Sequence, residues 1–167
     1  MGIFSNLFKK KDNFCTDKNS KYYSYNNALK EYCEYQDKYL NVWNLIGEYT
    51  EKINYYYSNY INTSKQEDFN NLFLYCQKYI ELLPQLEEAK KEDSRINNTV
   101  HTNNYCVAYH KLAMAYEKSG CYNSAINVCN DAIAQGYSDG TKGGFEARLK
   151  RIIKKQAEIK QNTYGGK

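Results

Sequence analysis

"YHKLAMAYEKSGCYNSAINVCNDAIAQG", Tyr109 to Gly136, holds two cysteines and, next to its start, a histidine, His110. Two readings compete: a reactive or metal-binding site, or two helices packed on each other. Spacing favours the helices. Tyr109, Leu112, Ala113 and Tyr116 recur at i, i+3, i+4 and i+7, one face of a helix. Gly120 suits the left-handed conformation that ends helices. Ala125, Val128, Cys129 and Ala132 repeat the same spacing, and Gln135-Gly136 stops the second helix. Antiparallel helices approach closely only over short side chains, which Ala113, Ala125 and Ala132 provide. Tyr109, Tyr116 and Tyr122 fill the space beside them. Cys129 therefore reads as a core filler and Cys121 as a turn residue.

Nine positions taken together (Tyr109, Leu112-Ala113, Tyr116, Gly120, Tyr122, Ala125, Cys129 and Ala132) carry a family pattern. The segment Thr102–Tyr137, about a fifth of the chain, resembles a tetratricopeptide repeat, a helix–turn–helix unit of 34 residues. Tyr137 stands where the family has a late proline. Leu72, Cys76, Tyr79 and Pro84 resemble the second helix of a weaker repeat. Trp43, Ile46 and Gly47 resemble the opening of a first helix, with Thr50 where tyrosine is usual. The resemblance implies an all-α fold, with antiparallel hairpins stacked as a short solenoid and closed by a C-terminal capping helix. One repeat cannot bury enough apolar surface alone, so the other helices must supply the stacking surface. It also implies a non-enzymatic module that holds a peptide in a groove lined by Val107, His110, Met114 and Glu117, with Lys111 and Lys118 at the edges. His110 and Met114 occupy two places where chaperone-tail-binding members carry a carboxylate clamp. A more apolar peptide, or a second copy of the chain, is the expected occupant.

The remaining sequence fits a helical protein. The chain has 167 residues, one proline and a formal charge of +4, too mild to imply nucleic acid by itself. No apolar run approaches the length of a membrane span. Lys9, Lys10 and Lys11 follow the first apolar residues, the reverse of a signal peptide, so a cytoplasmic protein is expected. None of the six cysteines forms a Cys-x-x-Cys pair, which points to small buried hydrophobes. The 19 tyrosines, with abundant Asn and Lys, match AT-rich codon usage. Residues 1–20 read as a loosely docked tail, 21–160 as one helical domain and 161–167 as a second tail. In the first tail, Ile3, Phe4, Leu7 and Phe8 have helical spacing and could touch a membrane or partner. Asn6 departs from the myristoylation pattern that Gly2 invites.

Tyr39, Trp43, Ile46, Ile53, Tyr57 and Tyr60 make a stripe on one long helix or two shorter ones within 26–62, with Trp43 largely buried. Tyr55-Tyr56-Tyr57 could stack bases, but helix surface and core explain them better. Ser64-Lys65-Gln66-Glu67 has the form of a capping box. Phe69, Leu72, Phe73, Cys76, Ile80 and Leu83 then share a face, and Pro84 ends that helix or opens another. Ser94–Asn104 reads as a flexible polar connection. Near the C-terminus, Phe145, Leu149, Ile152, Ile153 and Ile159 form a dry face.

No constellation for catalysis appears. His101 and His110 are the only histidines, and Cys106 with His110 offers two metal ligands without a third or fourth. "SDGTKGGF" (Ser138–Phe145) lacks the Walker pattern and no strand precedes it, so a tight turn and a close helix approach are expected. No metal or cofactor is expected. One charge feature remains: residues 140–167 hold eight Lys or Arg against two Glu. Arg148, Lys150, Arg151, Lys154 and Lys155 read as its solvated basic face. The alternative function is an accessory protein that uses this face on nucleic acid or a membrane surface.

Overall fold

The computed structural model describes residues 21–102 and 104–164, with side chains from residue 25 to 161 apart from 103. The apolar N-terminal segment with Ile3, Phe4, Leu7 and Phe8, Gly2, Lys9–Lys11, Cys15 and residues 165–167 lie outside the described residues. The fold is all-α. Among the described residues five helices follow in order: α1 Lys21–Thr63, α2 Gln66–Asn97, α3 Val107–Lys118, α4 Tyr122–Ala134 and α5 Gly144–Tyr164. Two antiparallel hairpins, α1–α2 and α3–α4, stack so that α3 rests on both helices of the first hairpin; α5 packs on α4. That arrangement is compatible with a helical repeat.

The aromatic stripe of α1 explains the length of the first hairpin. Its 3–4 spacing continues without a break, so a single helix forms, 43 residues long. Ile53, Leu72 and Cys76 are fully buried at its centre. Tyr60, Phe69 and Tyr116 form a chain of edge-on rings, each pair 5.3 Å apart, that ties the hairpin to α3. Trp43 is only half-buried, not enclosed; its indole N–H donates to the Tyr35 hydroxyl at 2.8 Å. Tyr35, Tyr39 and Ala89 form a separate small core toward the far end of the hairpin.

Three local expectations need correction. The Ser64–Glu67 capping box does not form: Ser64 takes φ 55, and Lys65 flanks α2 without a side-chain cap. Thr63 serves the turn instead, its hydroxyl accepting from the Lys65 N–H at 3.2 Å. Pro84 neither ends nor opens a helix but sits inside α2. Its ring lies on the exposed face between buried Leu83 and Leu86, and the helix forgoes the hydrogen bond to the Ile80 carbonyl there. The polar connection starts later than Ser94, since α2 runs to Asn97 and Asn98 caps it in the left-handed conformation. His101 anchors that connection, 2.7 Å from the Asp93 carboxylate and stacked at 6.1 Å on Trp43.

The α3–α4 hairpin follows its sequence closely. Ala113 of α3 and Ala125 and Ala132 of α4 are fully buried, as are Ala108 and Ala115 elsewhere on α3. Gly120 and Gly136 take φ 77 and 75 at the two helix ends. One feature had no sequence signal. Cys106 N–H donates to the Ser138 carbonyl at 3.2 Å and Ser138 N–H to the Asn104 carbonyl at 2.9 Å. This isolated bridge clips the start of the hairpin to its end and fixes where α5 begins.

The dry face of α5 is narrower than its sequence implies. Phe145 and Ile152 are fully buried, but Ile153 and Ile159 are 48% and 44% exposed. The second half of α5 extends past the packed surface of α4.

Candidate functional site

Where α1, α3 and α5 come together, an open groove of about 390 Å³ is lined by Tyr57, Ile61, Met114, Glu117, Lys118, Arg148, Arg151 and Lys155. Each helix contributes through its own periodicity. Tyr57 and Ile61 lie one turn apart near the C-terminus of α1, and Met114, Glu117 and Lys118 do the same on α3. Arg148, Arg151 and Lys155 follow at i, i+3 and i+7 on α5.

The floor is apolar and held by α1. The Tyr57 hydroxyl donates to the Met114 sulfur at 3.6 Å. Burial raises the pKa of Tyr57, so it stays a neutral donor. Lys111 sits 4.5 Å from the Tyr57 ring centre, a cation over an aromatic face. Lys118 donates to the Ile61 carbonyl, one of the acceptors left open in the last turn of α1.

The wall is ionic. Glu117 Oε2 lies 3.5 Å from Arg148 Nη1 and 3.4 Å from Arg151 Nη2. Arg148 Nε donates to Asp139 Oδ2 at 2.9 Å beneath the surface. Lys155 leans on the Tyr122 ring, 5.6 Å from its centre. Four cations thus line the groove and one carboxylate faces them.

The structure redistributes the residues singled out from sequence. Met114, Glu117 and Lys118 line the groove, and Lys111 flanks it through Tyr57. Val107 does not face it: at 5% exposed it is part of the core. His110 is half-buried, with Nδ1 3.1 Å from the Tyr105 hydroxyl. Burial, then the Arg148 and Lys111 charges, hold His110 below the ordinary imidazole value, so it is neutral at pH 7. Arg148 corrects the basic face. It is buried at 7% exposed, because Asp139 and Glu117 draw its guanidinium inward. Lys150 and Lys154 are exposed outside the groove, Lys154 being 3.8 Å from Glu158.

Tyr57, Ile61 and Asp139 were missed from sequence. The α1 stripe marked Tyr57 as packed but could not show that α3 is what it packs against. Asp139 looked like a turn residue, and it is one, accepting from the Thr141 N–H at 3.0 Å; its second oxygen holds Arg148.

Cys76, Cys106 and Cys129 are the small buried hydrophobes expected, but Cys33 and Cys121 are exposed, which corrects that expectation for these two. Cys106 is buried, and burial pushes its thiol up to about 11; the same cause takes Cys129 to about 11. Thiols so raised are poor nucleophiles at neutral pH. Among the described residues no group of three or more His, Cys, Asp or Glu side chains could hold a metal ion. No described helix is long and apolar enough to cross a membrane. No family model, no curated protein and no solved structure matches this chain.

Proposed function

We propose that the chain is a non-enzymatic protein–protein interaction module of the tetratricopeptide type, which holds an acidic peptide segment in the groove between α1, α3 and α5. The observation that carries this reading is the convergence of Lys118, Arg148, Arg151 and Lys155 around Glu117 over a floor of Tyr57, Ile61 and Met114. Lys118 from α3 with Arg151 and Lys155 from α5 give a ligand's carboxylates several partners while Arg148 stays with Asp139, and the apolar floor covers the ligand's side-chain stems. The sequence pattern of Thr102–Tyr137 and the stacking of α3 on both α1 and α2 support the repeat type.

The inward turn of Arg148 favours a peptide over nucleic acid or a membrane surface. Phosphate tracking or an anionic bilayer needs an extended run of free cations. Here α5 spends Arg148 on Asp139 and Glu117, and sets Lys154 beside Glu158. The groove's charge also moves the reading away from the apolar ligand expected from Met114, since four cations stand around that side chain.

A dye-labelled peptide with four consecutive glutamates and blocked ends, titrated by fluorescence polarisation, tests the reading. Binding should weaken as salt rises and should vanish in the double variant R151E/K155E. A peptide that does not bind, or that binds the double variant equally well, overturns it.

A further inference from the structure

A carboxylate of the protein itself already occupies the groove. Glu117 Oε2 lies 3.4 Å from Arg151 and 3.5 Å from Arg148, where an incoming carboxylate would have to sit. It is fixed to α3, so it competes at the high effective concentration of a tethered group. Its two pairs are unequal in setting: the Arg148 side chain is 7% exposed, the Arg151 side chain 58%. Arg148 keeps Asp139 at 2.9 Å whatever Glu117 does, so Glu117 is not needed to neutralise the buried guanidinium.

Resting on the peptide reading above, we infer that Glu117 is a built-in competitor that selects a run of acidic side chains over a lone terminal carboxylate. A single carboxylate arriving at Arg151 replaces one ion pair by another. It also brings a like charge beside Glu117, which opposes binding. No net gain follows from that exchange. A run of acids does better, because a second carboxylate reaches cations that Glu117 leaves open. Lys118 holds a backbone carbonyl and Lys155 an aromatic face, neither of which cancels a positive charge. The apolar floor is spanned at the same time by the ligand's stems.

The test uses two dye-labelled peptides on the full chain: one with four consecutive glutamates and blocked ends, one uncharged except for a free C-terminal carboxylate. Wild-type protein binds the first and not the second. E117Q, which keeps the side-chain shape and the Arg148–Asp139 pair, gains affinity for the second by roughly five- to tenfold, the order expected for one partly screened charge. Binding of the four-glutamate peptide with no gain in E117Q overturns the inference and leaves the peptide reading standing. If neither peptide binds either protein, both fall. Should E117Q lose its thermal unfolding transition, the wild-type ratio decides alone: equal affinity for the two peptides overturns the inference.

Discussion

Arg148 Nε stands 2.9 Å from Asp139 Oδ2, with the two side chains 7% and 1% exposed. The pair joins the turn before α5 to the second turn of that helix and aims the rest of the guanidinium at Glu117. It is therefore both a structural element and the inner wall of the groove.

Acid stability should report on this pair. Burial raises the Asp139 pKa, but hydrogen bonds from Thr141 and Arg148 outweigh burial and hold the carboxyl below its ordinary value. A carboxylate lowered in the folded state binds protons less readily than in the unfolded chain. Its contribution is complete above the unfolded pKa of about 3.9 and is lost as pH falls through the folded value. Urea unfolding should show little Asp139-linked change between pH 7 and 5 and a decline below about pH 4. D139N leaves a buried guanidinium with only Glu117, at 3.5 Å, and should cost about 3 kcal/mol at pH 7. Its acid decline should be shallower but not absent, since Asp93 and Glu88 are also held low. A variant with the wild-type acid slope would place the linkage elsewhere.

Pro84 inside α2 predicts a stabilising substitution. A proline in a helix interior lacks the N–H that would reach the Ile80 carbonyl and disfavours the conformation of the residue before it. The ring is exposed and nothing in the core depends on it. Pro84→Ala should raise stability by about 1 kcal/mol or more, since the helix gain exceeds the entropy returned to the unfolded chain. A lower urea midpoint in P84A would show that α2 needs the ring.

His101 gives an optical readout of the connection between the hairpins. Its ring stacks 6.1 Å from Trp43, and its Nε2 lies 2.7 Å from Asp93 Oδ2. Trp43 is the only tryptophan, so its emission reports the surroundings of this one indole, the His101 contact among them. In H101A the emission should shift to longer wavelength while the unfolding free energy from urea changes by less than about 1 kcal/mol, as expected where a partly exposed contact is lost. Amide exchange in residues 98–102 should speed up. Unchanged emission would mean that the connection holds Trp43 without His101.

These cases show where sequence is informative and where it stops. Periodicity names which residues of one helix share a face, and so the α3–α4 hairpin with its alanines and glycines was legible. Periodicity does not name the partner of a face. Met114 and Lys118 were placed on the open side of α3 because nothing in the sequence says that Tyr57 and Ile61 of α1 meet them. Charge alone assigns Arg148 to solvent; its burial comes from Asp139, nine residues earlier across a turn. Local sterics make Pro84 a boundary; the packing of Leu83 and Leu86, which sequence does not show, holds the helix together around it.

Gly143 and Gly136 separate two costs of adding a side chain. Both take positive φ, 95 and 75. A Cβ at Gly136 meets nothing within 4 Å, whereas one at Gly143 lies 2.9 Å from the Ala147 Cβ. Gly136→Ala should cost about 1 kcal/mol from backbone strain alone. Gly143→Ala adds a clash with the first turn of α5, whose Ala147 N–H donates to the Gly143 carbonyl at 3.1 Å, and should cost about 2 kcal/mol or more. Relieving that clash shifts α5, so only the Gly143 variant should also weaken the Arg148–Asp139 pair and with it binding of the four-glutamate peptide. Equal urea midpoints for the two variants would show that the start of α5 yields without cost, and that the glycine pair serves the turn rather than the approach of the helix.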